Sequence, residues 1–367
     1  MNANTQGVSS ESKAQARISH ALQVAYDRAK DGKPGAARAS FNLASDRYVI
    51  FSDLHKGARN RADDFWRSER AYNAAIAYYY RMRYTLVLLG DVEELWEERP
   101  RAVLKSYTRT SDLEALFHRE GRYYRILGNH DDEWQYESRV RRLLGRSYKS
   151  SELRVYESLL LTVVEVDSEP LGSLFLVHGH QGTTASDICA NYSKHIVRYL
   201  WRPIQRLTNW SLNTPATSWK RIHQHNRMLY AWAEGQSKLV LIAGHTHRPV
   251  FKGASHEAKL QEKLAKHQEK AGKTPSRKNL KKIAELEAEI EWVIAQEMQK
   301  PKSERKDKEV TKPCYFNTGC CCFSDGDVTG LEIAGREIRL VRWPDDDKTP
   351  KRKILDRSLL KDILAEC

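Results

Sequence analysis

The chain has 367 residues, 40% of them hydrophobic and 9% aromatic, which is enough apolar surface for a folded core and excludes a wholly disordered protein. Its 61 lysine and arginine residues exceed its 48 aspartate and glutamate residues by 13, which favours an anionic partner: a phosphorylated substrate, nucleic acid or an anionic membrane surface. Six cysteines, a polar N-terminus and no run of about 20 apolar residues argue against a disulfide scaffold, a secretory signal and a membrane span, and predict a cytoplasmic protein, with peripheral membrane contact left open.

Residues 1–46 are predicted to form an N-terminal helical arm, with Ile18, Leu22 and Ala25 on one helix face. From Arg47 onward, short apolar runs alternate with stretches long enough for helices, a pattern typical of an α/β sandwich. The predicted strands are Tyr48–Phe51, Thr85–Leu89, Tyr123–Leu127, Leu159–Val166, Leu174–Val177, Leu239–Ala243, Tyr315–Asn317, Leu331–Ala334 and Ile338–Trp343, with the last two joined as a hairpin through Gly335.

Two segments interrupt this pattern. Residues 183–237 are basic and aromatic, which predicts a helical lid that covers an anionic ligand or lies on a membrane interface. An equally weighted interpretation is an ordinary packed helix with a solvated basic face. Residues 255–310 are highly charged and carry a narrow apolar seam, which predicts a projecting helical hairpin that contacts a protein partner or a second subunit. The alternative is a basic arm that holds nucleic acid across the active site. The seam consists of Leu260, Leu264, Ile283, Leu286, Ile290 and Val293. The predicted divisions are therefore 1–46, a core with its lid at 47–254, the hairpin at 255–310, further core strands at 311–343, and a C-terminal tail or helix at 344–367.

Side chains of the types that bind metals follow several of the predicted strands. Active sites of α/β proteins gather at the carboxyl ends of strands, so these side chains should converge. Carboxylate, imidazole and amide groups together would hold two divalent cations, and such mixed ligands suit Mn²⁺, Fe²⁺ or Zn²⁺ better than Ca²⁺. The residues, in chain order, are Asp53, His55, Asp91, Asn129, His130, Asp131, His178, His180, His245 and His247.

The motif order D-x-H, GD, GNHD, HGH and GHTH resembles that of the calcineurin-like metallophosphoesterases. The resemblance implies a four-layer α/β/β/α sandwich and a dinuclear enzyme that cleaves a phosphodiester or pyrophosphate bond with a metal-activated water, Mn²⁺ being the favoured ion. It implies a first metal on Asp53, His55 and His247, a second on Asn129, His178 and His245, and a bridge between them through Asp91.

The resemblance also implies that His130 is the catalytic histidine, which contacts the scissile phosphate or protonates the leaving oxygen, with Asp131 orienting it. Lys56, Arg59 and Arg61 follow the first strand closely and are candidates for binding phosphate oxygens. An equally weighted interpretation is that these three are solvated loop charges.

Within the family, the chain is similar to the UDP-2,3-diacylglucosamine pyrophosphatases of lipid A synthesis. Trp96, the insertion between His178 and His245, and the sequence His-Thr-His-Arg-Pro at 245–249 carry this similarity. The chain departs from that branch in its greater length and in having Asn-His-Asp where those enzymes usually have Asn-Arg-Asp. A metal-dependent nuclease acting on DNA or RNA is the alternative, because aromatic side chains stack on bases. A non-catalytic partner-binding protein is a weaker one, because every ligand position is filled.

The run Cys320-Cys321-Cys322, with Cys314 nearby, invites comparison with a metal site. It lacks the paired C-x-x-C spacing of zinc sites. Free cysteine packs as a small hydrophobic residue, so the run predicts buried structural thiols.

Overall fold

The structure, a computed structural model, describes residues 3–60, 63–165, 169–183, 219–255, 311–346 and 348–367, and the isolated positions 260, 264–269, 279–280, 282–283, 286–287 and 290. Its helices are α1 (Ala3–Lys30), α2 (Glu69–Arg81), α3 (Pro100–Ser106), α4 (Thr108–Arg119), α5 (Glu137–Arg139), α6 (Gly145–Tyr148), α7 (Trp219–Glu234) and α8 (Leu360–Glu366). Turns of 3-10 helix span Phe65–Arg67 and Asp132–Gln135, and a π-helical turn spans Val140–Leu144.

The strands form two sheets. They are β1 (Ala36–Asn42), β2 (Tyr48–Phe51), β3 (Thr85–Leu89), β4 (Tyr123–Ile126), β5 (Ser158–Val164), β6 (Gly172–Leu176), β7 (Leu239–Ala243), β8 (Pro249–Phe251), β9 (Ala254–Ser255), β10 (Tyr315–Thr318), β11 (Val328–Ala334), β12 (Glu337–Trp343) and β13 (Lys353–Leu359). Among the described residues, sheet A has the order β1-β5-β6-β7-β10-β8-β9, and sheet B has the order β13-β12-β11-β2-β3-β4. The runs β6-β7-β10 and β2-β3-β4 are parallel, so each brings its carboxyl ends to one edge.

Side-chain alternation along the central strands explains the layering. Ile50, Val87 and Leu89 face sheet A and join its core, whereas Val49 and Phe51 face the opposite way and pack with α2 and α4. On the far side of sheet A lie α1, α7 and α8. The order of layers is thus helices, sheet A, sheet B, helices, which confirms the predicted four-layer α/β/β/α sandwich.

The N-terminal segment, predicted as a helical arm, contributes both a helix and a strand to the fold. The predicted apolar face of α1 is buried at Ile18, Leu22 and Ala25. β1, which the sequence pattern does not predict, then pairs in parallel with β5 at the edge of sheet A. At the other end of the chain, β13 pairs with β12, so the segment predicted as a tail or helix contains a strand as well as α8. The predicted β11–β12 hairpin is confirmed.

The predicted lid lies mainly outside the described residues, at 184–218. Its last part, α7, packs on sheet A: Leu229 and Trp232 are buried there, and the Trp232 indole donates to Gln23 Oε1 at 3.1 Å. Described positions of the hairpin segment are helical, and Leu260, Leu286 and Ile290 form a small apolar cluster separate from both main cores. Val293 lies outside the described residues, and a partner-binding role of the hairpin stays a prediction. Among the described residues, no helix is long and apolar enough to cross a membrane.

Candidate metal centre

The side chains that the sequence places after strands meet where the two sheets present their parallel strand ends. Three tight groups form, in each of which the potential ligand atoms lie within 4.8 Å of one another. These groups are Asp53, His55 and His247; Asp91, His178 and His245; and His55, Asp91 and His130. Because Asp91 and His55 occur in overlapping groups, the structure contains one continuous polar cluster.

The first group joins the end of β2 to the end of β7. His247 Nε2 lies 3.3 Å from Asp53 Oδ1 and 3.1 Å from His55 Nε2. Asp53 is completely buried, and although burial alone raises a carboxyl pKa, the His247 imidazole holds the pKa of Asp53 below its usual range. Two imidazole nitrogens and a carboxylate oxygen pointing at one volume are suited to a divalent cation.

The second group lies at the ends of β3, β6 and β7. His178 Nε2 is 3.0 Å from Asp91 Oδ2, while His178 Nδ1 donates to the Leu89 carbonyl at 2.8 Å. The second contact fixes the tautomer and leaves the lone pair of Nε2 directed at the cluster. Asp91 Oδ2 is also 3.8 Å from His55 Nε2, so this carboxylate lies between the two groups.

The side-chain oxygen of Asn129 indicates that the cluster binds a group that the chain itself does not supply. Its Oδ1 atom is buried and has no hydrogen-bond partner among the described residues. Buried amide oxygens in folded proteins are nearly always paired, so this orphan acceptor fits a cation ligand. The donor set of the cluster therefore fits the divalent ions predicted from the sequence.

The backbone around the site is unusual in the way expected of a functional site. Asp53, His55, Asp91, His245 and His247 all have positive φ, between 50° and 68°. Non-glycine residues in this region each cost roughly 1–3 kcal/mol and persist only where the surrounding structure enforces them. The turns after the strands thus hold the side chains inward at a local energetic cost.

Two glycines in these turns are required by close approach. A Cβ atom on Gly128 would lie 2.2 Å from Asp91 Oδ1, and one on Gly244 would lie 2.6 Å from Asp53 Oδ2. Any side chain at either position would displace a carboxylate of the cluster. The glycines of the GNHD and GHTH motifs therefore make room for the ligands.

Glu94, which the sequence pattern did not single out, organises the other side of the cluster. Its carboxylate lies 2.9 Å from His55 Nδ1 and 2.7 Å from His130 Nδ1. Burial lowers the pKa of His130, but the Glu94 and Asp91 carboxylates outweigh it and raise that pKa to about 9. The His130 ring also stacks on Trp96, with centroids 4.3 Å apart. His130 is thereby held in one orientation beside the cluster.

Two further histidines surround His245. The ring of His225, from α7, lies 5.3 Å from that of His245, and His225 Nε2 donates to the Gly179 carbonyl at 2.7 Å. His180 lies 5.4 Å from His178, and burial together with the neighbouring histidines lowers its pKa to about 3. A neutral His180 adds no positive charge next to a site suited to cations.

Comparison with known proteins bears on this cluster. A family model for calcineurin-like phosphoesterases matches residues 47–249, which is more than half of the chain and includes all of the clustered residues. The chain belongs to the calcineurin-like phosphoesterase family. It is therefore a metal-dependent phosphoesterase, and members of its family bind divalent metal ions, usually two, and act on phosphorylated substrates.

Other comparisons add little about this phosphoesterase. Among solved structures, a cold-active protein-tyrosine phosphatase of a psychrophilic Shewanella species is similar over 88% of this chain and 82% of that chain, with 8% identity and a TM-score of 0.30. No curated protein matches the chain significantly.

The structure corrects the predicted role of Asp131. Its carboxylate accepts hydrogen bonds from the backbone N–H groups of Gly128 at 2.7 Å and Val92 at 2.9 Å, and lies 3.4 Å from Arg125. These contacts tie the loop after β3 to the loop after β4. Glu94, and not Asp131, contacts His130 Nδ1, so Asp131 stabilises the loops of the phosphoesterase site rather than orienting the histidine.

The predicted phosphate-binding role is wrong for Lys56, which is buried, and stays a prediction for Arg59, whose side chain is partly exposed. Lys56 is buried, and its ammonium lies 2.6 Å from Glu114 Oε1. Arg59 is paired with Glu69 at 2.5 Å, and its guanidinium lies over the Tyr107 ring. Arg61 lies outside the described residues. Lys56 thus pairs with a residue of α4 that lies 58 positions away in the chain, and Arg59 pairs with Glu69 of α2, 10 positions away.

Replacing Lys56 by methionine should therefore lower stability and leave phosphoester hydrolysis intact. The variant would leave the buried Glu114 carboxylate without its ion-pair partner, which typically costs about 3–5 kcal/mol of unfolding free energy. Denaturant unfolding measures this loss, with Arg59→Met as the control, since its exposed pair contributes at most about 1 kcal/mol. An unchanged unfolding midpoint combined with a raised KM would restore Lys56 as a substrate-binding residue.

Proposed function

We propose that this phosphoesterase hydrolyses a phosphodiester or pyrophosphate bond at a dinuclear centre. Asp53, His55 and His247 would hold one ion; Asn129, His178 and His245 would hold the other; Asp91 would bridge them. The observation that carries this proposal is the Asp91 carboxylate, which lies 3.0 Å from His178 of one group and 3.8 Å from His55 of the other. When bound, two divalent ions supply activation of a water nucleophile and stabilise charge on the phosphate oxygens.

The residues of the chain supply the remaining chemistry. His130 lies beside the bridging position, because its backbone N–H donates to Asp91 Oδ1 at 2.8 Å. Glu94 favours the protonated imidazole of His130 and so prepares it to donate a proton to the leaving oxygen. A cleaved diester or pyrophosphate releases an alkoxide or phosphate that benefits from that proton. For the ions, the mixture of imidazole nitrogens with carboxylate and amide oxygens supports Mn²⁺, with Fe²⁺ and Zn²⁺ as alternatives.

A substrate panel tests the reaction class. Metal-depleted protein resupplied with Mn²⁺ should hydrolyse bis-p-nitrophenyl phosphate or a UDP-sugar faster than p-nitrophenyl phosphate. UDP-sugar turnover would support the similarity to the UDP-2,3-diacylglucosamine pyrophosphatases, which rests on Trp96 and on the insertion between His178 and His245. Turnover of monoesters alone would contradict the proposed reaction.

A second candidate, nuclease activity, is favoured by a basic surface on the segments that follow Trp96 and His130 in the chain. Arg142 lines three clefts of this surface, and Arg101 lines two of them. One cleft also includes Arg99, three residues after Trp96 in sequence, and Glu133, three residues after His130. The other basic residues lining these clefts are Lys105, Arg139, Arg141, Arg146 and Lys149. Such a surface fits an extended chain of phosphates better than a single phosphate.

Replacing Arg101, Arg142 and Arg146 together by alanine should weaken single-stranded DNA binding if the nuclease reading holds. Loss of three phosphate contacts would reduce the slope of log K against log salt by about 2, since each contact to a single strand contributes about 0.7. Fluorescence anisotropy across a salt series measures the slope. The matched control removes the exposed Lys30, Lys33 and Arg81 instead. Equal slopes for the two triple variants would leave the surface without a nucleic-acid role.

A further inference from the structure

The cysteine run after β10 lies against the metal centre, because the backbone N–H of Cys321 donates to the Asp53 carbonyl at 3.1 Å. The three side chains then alternate. Cys321 is buried in the core on the outer face of sheet B, and its Sγ lies 3.7 Å from the Thr329 carbonyl. Cys320 and Cys322, which flank it, join His247 in a group whose potential ligand atoms lie within 4.8 Å of one another.

The two thiols lie on the Nδ1 side of the His247 ring, which faces away from Asp53 and His55. Cys322 Sγ lies 3.9 Å from His247 Nδ1, whereas His247 Nε2 faces Asp53 and His55. The His247 side chain is 27% exposed, and Cys322 is half-buried. A cation could therefore reach the thiols from solvent without passing through the Asp53 group.

We propose that Cys320, Cys322 and His247 Nδ1 form a second site, sharing His247 with the Asp53 group, for a thiophilic divalent cation, with Zn²⁺ as the natural ion. Two thiolates and one imidazole are three of the four ligands of a tetrahedral zinc site, and the fourth position is open. Binding displaces the two thiol protons to solvent, so no oxidant or reductant is needed. The two thiolates are softer donors than the imidazole, carboxylate and amide groups around Asp91, which gives this site a different metal preference.

Sharing His247 has a functional consequence that depends on the proposed function. A neutral imidazole has one lone pair, so a cation held at Nδ1 leaves Nε2 protonated and unable to bind a second ion. Zn²⁺ at the thiol site would thus withdraw His247 from the Asp53 group and inhibit hydrolysis. The site would act as a sensor of excess thiophilic metal.

Titration of the Mn²⁺-loaded protein with Cd²⁺, a thiophilic probe, tests the site directly. The ultraviolet charge-transfer absorption of cadmium thiolate should rise and saturate near one Cd²⁺ per chain, because soft thiolates select thiophilic ions. The band should be lost in the double variant Cys320→Ser/Cys322→Ser and kept in Cys321→Ser and Cys314→Ser, which remove thiols facing the core. An unchanged band in the double variant, or no band in the wild type, overturns the proposal.

Two further measurements keep the test decisive. If the double variant does not fold, Cd²⁺ should protect Cys322 of the wild-type protein from alkylation, read by mass spectrometry; alkylation at an unchanged rate would refute the site. Excess Zn²⁺ should inhibit the wild type but not the Cys322→Ser variant. The absorption measurement does not depend on turnover, so it tests the thiol site even if the proposed hydrolysis is wrong. Absence of the band would refute the thiol site and would not bear on the proposed hydrolysis.

Discussion

Replacing Asp91 by asparagine should abolish phosphoester hydrolysis and remove at least one ion from the metal centre. The neutral amide keeps the shape of the carboxylate but cannot hold two cations 3.5–4 Å apart, the approximate spacing in two-metal sites. Elemental analysis should find about two divalent ions per chain in the wild type and one or fewer in Asp91→Asn. Activity against the best substrate of the panel is measured on the same samples.

Asp131→Asn is the matched control for this variant. Asp131 is as buried as Asp91, but its carboxylate accepts backbone hydrogen bonds in the adjacent loops. The asparagine side chain in Asp131→Asn should lower the unfolding free energy by about 1–3 kcal/mol, because one backbone donor loses its acceptor. Metal content should remain at the wild-type level. Wild-type metal content and turnover in Asp91→Asn would refute the bridging role.

Replacing His130 by alanine should slow catalysis by about 10²–10⁴-fold while both ions remain bound, because the proton donor to the leaving oxygen is lost. The loss should be largest for substrates with poor leaving groups, such as nucleosides, and smallest for p-nitrophenolate, which leaves without a proton. Steady-state kinetics with a series of leaving groups measures this dependence. Loss of metal in the variant would instead identify His130 as a ligand.

Glu94→Gln gives an independent check on the same proton. The Glu94 carboxylate raises the pKa of His130, so its removal lowers that pKa. The protonated form of His130 is the active acid and is lost as pH rises through its pKa. The basic limb of the pH–rate profile should therefore move to lower pH in Glu94→Gln, and it should be missing from His130→Ala. An unmoved basic limb would show that another group donates the proton.

Much of this site could be predicted from the sequence because its ligands follow a rule of α/β folds. Asp53, Asp91, His178 and His245 each come within three residues of the end of a buried strand, and parallel strand ends meet at one edge. The alternation of apolar runs and helical stretches indicated an α/β sandwich, and the resemblance of the motifs to a known family implied its four-layer order.

Contacts between residues distant in sequence decided the rest. Glu93 and Glu94 are adjacent and alike in sequence, yet Glu93 pairs with Arg125 and only Glu94 reaches His130. Lys56 resembled a solvated loop charge because its partner Glu114 lies 58 residues away.

The sequence by itself thus determined the fold class, the metal-type side chains and the strand ends that carry them, because strand alternation and ligand chemistry are local properties. Only the tertiary structure showed that β1 (Ala36–Asn42) is a strand, because its weakly apolar sequence becomes one through pairing with β5. It also showed that Cys320 and Cys322 face His247 while Cys321 faces the core. The orientation of a side chain depends on which segment packs against it, and that segment can lie anywhere in the chain.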